Sequence, residues 1–482
     1  MSEDRGGGIG DAVKRAWRGP KRLGRELTHL WRERRRLVLA IALGALALLI
    51  GGALIAYEAL KRPPDVHNPN ATFRPQKPKK QRAKTVSWPL YGYDRARTRY
   101  LPAKGVKPPF KKIWRYTERP LLEFPPVLAR GRLYLVDNSG HAVSLDADTG
   151  KLLWKRRIGR LNASSPTFHR NRLYVVNLVP GHVVKLDARN GRIIWKRSLP
   201  GRAESSPVVV GRTLYFGCEN GELLALSTRN GNMRWSTSLA GPVKSAPAYY
   251  GGVLYVGDYG GYMNAVNAKT GEVKWQSDSL GQGFGTSGAF YSTPAVAFGR
   301  VYAGNNDSRV YSFDRKDGTI AWTYSTGGYA YSGPAVANTT HTRPTVYIGS
   351  FDGNVYALDA RDGEPRWIRS AGGQVIGSLT AIGNIVYVAE FSDTSTTGYS
   401  MKTGRTVFSY PRGTYTPLIS DGRRIYLVGY SSITALQPYK YKTAVADRIK
   451  APKPPPQKKS SQSRGSQKPG SRKPKKPAKK TR

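Results

Sequence analysis

The chain has 482 residues, 78 lysines and arginines against 31 aspartates and glutamates, and a formal net charge of +47. Its one cysteine and six histidines, the latter in no metal-ligand spacing, leave no disulfide framework and no Cys/His zinc or haem motif. The charge is uneven, with 13 basic residues and no acid in 450–482.

In chain order, residues 1–36 form a basic leader with 11 basic and 5 acidic side chains. Trp17, Leu23, Leu27, Leu30 and Trp31 suit an amphipathic interfacial segment, interrupted by Pro20 and Gly24, and a disordered basic leader is the equal alternative. An uninterrupted apolar run follows at 37–57, whose 21 residues as a helix span about 31 Å, the thickness of a bilayer core. A signal peptide is the competing reading, but signal cores run only about 7–15 residues and no clean cleavage pattern follows. Basic residues crowd before the run (Arg18 through Arg36) and thin out after it (Lys61, Arg62, Arg74), which puts the N-terminus in the cytoplasm and the remainder outside. With no cysteine near its end, a lipoprotein anchor is excluded. Residues 58–87 then read as an extended linker.

From residue 88 to 438 three markers recur at about 40 residues. The first is an aromatic residue: Trp114, Trp154, Trp195, Trp235, Trp275, Trp322, Trp367 and Phe408. All but Trp114 follow a glycine by four places, from Gly150 to Gly404. A tyrosine series runs in phase from Tyr134 to Tyr426, and a strand-start proline series from Pro126 to Pro417. A fixed order of markers at this period means one supersecondary unit repeated. Within 165–199 the β-branched and aromatic runs are broken by "RN", "PG" and "NG", giving four strands and no helix, which is a propeller blade. The last unit lacks its aromatic strand, whereas "KKIWRYT" around Trp114 lacks the rest of its blade. Together they complete one blade, so the expected fold is all-β: an eight-bladed propeller closed by an N/C-terminal clasp that removes two open sheet edges.

The units "LDADTGKLLWKRRIG", "LDARNGRIIWKRSL" and "VNAKTGEVKWQSDSLG" resemble the pyrroloquinoline-quinone (PQQ)-type propeller repeat, and "WPLYGYDRARTRY" (88–100) is similar to the segment that often introduces such propellers. The resemblance covers the whole of 88–438. It implies either a quinoprotein dehydrogenase or a non-enzymatic scaffold like BamB, the propeller lipoprotein of the outer-membrane β-barrel assembly machine, and fold alone does not choose between them.

A dehydrogenase of that kind needs a floor tryptophan, Ca²⁺ held by six to eight oxygens, and a carboxylate base. Here Asp146, Asp187, Asp317, Asp359 and Asp362 occupy hairpin turns, and Asp258, Asp307 and Asp352 lie in the turn between second and third strands, where turn chemistry explains them. The tryptophans, one per blade, read as inter-blade packing. The serine pairs Ser164-Ser165 and Ser205-Ser206 recur with the blades and read as structural. Cys218 reads as a buried small hydrophobe. The expectation is therefore a non-catalytic protein without cofactor, with PQQ and Ca²⁺ as the alternative.

Binding is sought where the repeat breaks. Aromatic marker to next proline is 12 residues from Trp154 to Pro166 but 19 from Trp275 to Pro294. The added loop carries Phe284, Phe290 and Tyr291, and later loops on the same end carry Tyr329, Tyr331 and Tyr415. These aromatics are expected at one mouth, either as an exposed contact for an envelope protein, peptide or glycan or as packing within the funnel. Arg160, Arg202 and Lys244 on equivalent loops are expected to give that mouth a basic rim. A second insertion at 337–344 should face the opposite end. The tail, 439–482, reads as an extended Pro/Lys arm suited to anionic envelope polymers or lipid headgroups, with a solubilising tail that has no partner as the alternative; nucleic acid ranks low because the topology places the arm outside the cytoplasm. The whole describes a single-pass cell-membrane protein with an extracytoplasmic binding or scaffolding propeller.

Overall fold

The computed structural model describes residues 42–53, 62–78, 86–282, 287–392, 394–415 and 418–439. The tail from 440 onward, and with it the arm expected there, lies outside the described residues.

Eight antiparallel sheets repeat one plan. In the first blade the strands are Val127–Ala129, Arg132–Val136, His141–Asp146 and Leu152–Arg157, hydrogen-bonded in that order. The next six blades span 167–198, 208–238, 248–278, 295–325, 335–370 and 380–410. In the eighth, Phe110–Thr117 pairs antiparallel with Ser432–Pro438, followed by Ile425–Val428 and Leu418–Ser420. The clasp is thus as the sequence implies, with Trp114 opposite Ala435. The short first strands of successive blades contact one another and line the axis. The blade-to-blade loops and the turns between second and third strands share one end of the ring, here called the mouth.

The marker series explains how blades stack. Each indole donates its Nε1–H to a backbone carbonyl of the following blade: Trp154 to Ala188, Trp235 to Ala268, Trp322 to Ala360, Trp367 to Met401. The in-phase tyrosine often shares that acceptor, as Tyr215 does at Ala268 and Tyr302 at Ala360. Each turn glycine lies against the preceding blade's indole; a Cβ on Gly191 would stand 2.6 Å from Trp154. The residue must therefore lack a side chain as well as tolerate positive φ. Cys218 is fully buried, and burial pushes its thiol up to about 12.

One expectation changes. Residues 62–78 are extended but not a free linker, because Val66 and Thr323 exchange hydrogen bonds, His67 bridges Trp322, and Asn68 donates to Ala321. They run down the outer edge of the fifth blade and cross the end opposite the mouth, where Arg74 donates to Phe298 and Asn338 donates to Gln76. The insertion 337–344 lies at that same end, between Ala335–Ala337 and Thr345–Gly349, as expected. Of the apolar run, 42–53 are helical and the rest lies outside the described residues; among the described residues no helix is long and apolar enough to cross a membrane.

Candidate functional site: the funnel at the mouth

The floor of the funnel is made by the segment 86–101. Innermost strands of three residues leave backbone groups facing the axis, and unpaired groups there are costly. This segment satisfies them blade by blade: Val86 donates to Asp421, Trp88 and Leu128 exchange two bonds, and Phe168 donates to Pro89. Arg95 Nε reaches Val209 of the third blade. Tyr249, Val296, Val336 and Ala381 then donate to Arg95, Ala96, Thr98 and Arg99. Tyr100–Leu101 finally pairs in parallel with the innermost strand of the seventh blade. One stretch of chain thus visits all eight blades.

Tyr91, Arg97 and Arg99 point into this plug. Arg97 is fully buried and donates Nε to Pro247 at 3.1 Å, Nη2 to Ser206 at 2.8 Å and Nη1 to Tyr91. Burial, with Arg99 beside it, lowers its pKa to about 9. Both guanidinium groups lie over the Tyr91 ring, at 5.7 and 5.1 Å. Tyr91 also meets Phe124 edge-on and its hydroxyl bonds Ser378 at 2.5 Å.

Above the floor an aromatic chain crosses blade boundaries. Tyr259 meets Tyr291 at 6.2 Å, Tyr291 meets Tyr331 at 5.4 Å, Tyr331 stacks on Tyr329 at 5.5 Å, and both of the last touch Phe351. On the next blade round the ring Tyr415 meets Phe391 at 5.3 Å. Tyr291, Tyr329, Tyr331 and Tyr415 therefore do lie at the mouth, the first three together, with Tyr329 42% exposed. Phe290 does not: it is fully buried against Tyr311 and Phe313, because the neighbour of a mouth-facing residue on an extended stretch points the other way. Phe284 lies outside the described residues. Tyr259, Phe351 and Phe391 were not singled out by sequence, since they occupy turns of regular length.

The rim is not a basic ring. Lys244 is held by Glu204 at 2.6 Å and Glu219 at 3.3 Å, and Arg202 by Glu219 at 2.7 Å, so these two cations are neutralised. Lys244 also lies over Tyr259 at 5.5 Å. Arg160 alone of the three is exposed without an ion pair among the described residues. Burial would lower the Lys244 pKa, but its hydrogen bond to Glu204 and the Glu219 charge raise it overall. Glu204 is raised by burial more than Lys244 lowers it, and Glu123 is raised by burial and by the charge of Glu204. The funnel wall thus holds two carboxyl groups whose pKa burial raises, beside tyrosines.

The other candidates are structural. Asp258 accepts from Tyr262 N and Asn264 Nδ2, Asp352 from Gly327 N and Asn354 N, and Asp307 from the Tyr311 hydroxyl. Asp146 accepts from the amides of Asp148 and Thr149. Ser165 Oγ donates to Pro125 and Ser205 Oγ to Ser245, linking neighbouring blades. A quinone with calcium fits this set poorly. The blade indoles are held between blades, the axis is floored by Tyr91 over two cations, and among the described residues no group of three acids, histidines or cysteines is placed to hold a metal. A cavity of about 1280 Å³ forms an open hollow at the opposite end beneath the plug, lined in part by Tyr93, Asp94, Arg95 and His169.

Blade plan, clasp and repeat markers define an eight-bladed propeller of PQQ-type repeats. The chain belongs to the family described as outer membrane protein assembly factor BamB, which it matches over residues 111–248, 241–337 and 331–439. Among solved structures it is similar to BamB from Moraxella catarrhalis, with 17% identity, 69% of this chain and 98% of that one covered, and a TM-score of 0.58. It is also similar to the quinohemoprotein alcohol dehydrogenase from Comamonas testosteroni, with 13% identity, 74% and 81% covered, and a TM-score of 0.62. A computationally designed protein, Ika8, shares the fold at 15% identity, 67% and 98% covered, and a TM-score of 0.55. These likenesses concern the fold. No curated protein sequence matches the chain.

Proposed function

We propose that the chain is a non-catalytic binding module of the cell envelope whose funnel takes a segment of a partner protein. The observation that carries this is the aromatic chain Tyr259, Tyr291, Tyr331 and Tyr329 running from wall to rim. Rigid aromatic rings supply contact area at low entropic cost, and the carboxylates beside them favour a peptide over an apolar ligand. A glycan, which would stack on the same rings, is the second occupant considered.

The rest of the reading follows the sequence. The apolar run 37–57 is proposed to anchor the chain in the cell membrane, with its leader inside and the propeller outside. Its described part is consistent with a lipid environment, since Leu43, Leu46, Leu48, Leu49 and Ile50 are all exposed. The basic tail is proposed to hold anionic envelope polymer or lipid headgroups, with affinity that falls steeply as salt is added.

A photo-crosslinking residue placed at Tyr331 in intact cells tests the funnel. A discrete protein adduct is expected there and not from the same residue at Tyr250, on the opposite end. Equal labelling from both sites, or none from Tyr331, would count against the proposal.

A further inference from the structure

The chain reaches the propeller at an informative place. Arg309, 2% exposed, donates Nη2 to the Pro63 carbonyl and Nη1 to Gly281 at 2.8 Å, and its Nε lies 3.4 Å from Asp65. Asp65 accepts from Ser325 N and Thr323 Oγ1, both at 2.8 Å. Gly281 begins the long inserted loop, and Ser325 ends the outermost strand of the fifth blade just before the loop bearing Tyr329 and Tyr331. The first docked residues therefore sit at the mouth end. Only 58–62 lie between the apolar run and Pro63, and at about 3.5 Å per residue those six steps reach roughly 20 Å. A six-residue blade strand is itself about 20 Å long, so the mouth end meets the membrane without extending those residues, whereas the far end would need them fully stretched along the blade.

The surface chemistry agrees. Exposed aromatics at the mouth are Tyr259, Tyr329, Phe391 and Tyr430, at 38%, 42%, 37% and 57% exposure. They come from four different turns or loops around the ring. Amphipathic aromatics concentrate at the level of lipid headgroups, where a ring is buried and a hydroxyl stays wet. Exposed Arg62, where the chain comes in, adds a cation suited to the same layer. The opposite end also exposes Tyr250 and Tyr439, at 39% and 52%, and the apolar side chains of Leu152, Leu153, Ile193, Met233 and Val273, but these lie far from the point of attachment.

We infer that the funnel opens toward the bilayer, with Tyr329, Phe391 and Tyr430 lying in the headgroup layer of the membrane that holds the anchor. This rests on the anchor reading given above. A partner then meets the funnel within the layer next to the lipid surface, so it is a membrane-bound or membrane-emerging chain.

Fully buried Cys218 allows a direct test, because added surface cysteines can be labelled without removing it. Full-length Tyr430→Cys and Tyr329→Cys would carry an environment-sensitive fluorophore, beside Tyr250→Cys for the far end and Ile368→Cys for the flank. Each is reconstituted in phosphatidylcholine–phosphatidylglycerol vesicles with a headgroup spin-labelled lipid. Quenching several-fold stronger at Tyr430 and Tyr329 than at the two controls is the expected result. Strongest quenching at Ile368 means a side-on propeller, and equal weak quenching at all four means one held clear of the lipid; either overturns the inference while leaving the anchor intact. Mouth labels shielded from aqueous iodide yet unquenched by lipid mean that a second copy covers the mouth, and also overturn it. Failure of the full chain to float with vesicles overturns the anchor reading and the inference with it.

Discussion

Gly363 lies flat on the indole of Trp322, the marker residue of the preceding blade, so closely that a Cβ built there would stand 2.8 Å from Cδ2. Tyr302 and Trp322 meanwhile donate to the same Ala360 carbonyl, at 2.9 and 3.2 Å. Glycine, tyrosine and tryptophan are therefore three parts of one joint between blades, repeated around the ring.

Gly363→Ala should cost roughly 2–4 kcal/mol, combining the strain of a side chain at φ +83° with overpacking against the indole. Gly131→Ala, at φ +72° with nothing near, should cost only about 1 kcal/mol. Urea denaturation of the two variants checks this, and equal costs would remove the indole from the explanation.

Arg97→Met keeps bulk but deserts the carbonyls of Tyr91, Ser206 and Pro247. A loss of about 2–4 kcal/mol is expected from buried acceptors left unpaired. Hydrogen exchange should quicken at the amides of Phe168, Tyr249, Val296 and Val336, which depend on the same plug. Unchanged exchange there would mean that the segment holds without its arginine.

Glu123 has a folded-state pKa above its ordinary value of 4.5 because it is buried near Glu204. The folded state then binds the proton more tightly than the unfolded state. Stability is greatest below the ordinary value, falls as pH rises through the window up to the folded value, and is flat beyond. Glu123→Gln should lose that slope and be more stable than the parent at pH 7. Thermal melts from pH 4 to 8 read both.

Cys218 is buried, with its thiol pushed up to about 12 by burial and by Glu222 and Glu219. An aromatic disulfide reagent at pH 8 should react with the native protein only as fast as the third blade opens, and at once in denaturant. Rapid reaction in the native state would refute the burial.

Much of the fold was legible because each marker acts between neighbours. Gly191 four places before Trp195 sets a hairpin, and its contact with Trp154 sets the next blade, so spacing carries both. The path of 88–100 was not, because its partners are backbone groups of distant blades and backbone groups leave no mark in a side-chain pattern. Tyr291, Tyr329 and Tyr331 were found because their loops are conspicuous; Tyr259 and Phe351 were missed because theirs are not. Phe290 and the basic rim were misjudged for one reason: loop composition does not say which neighbour turns inward, or which cation meets Glu204 and Glu219 from another blade.

The segment that visits every blade sets an order of events in synthesis. Residues 86–101 are made early, yet their acceptors and donors stretch to Ala381 and Asp421, and the clasp waits for Pro438. The ring cannot close while the ribosome still holds its last blade. Its first residues must stay unpaired through most of translation, and pairings of such long range are slow to form.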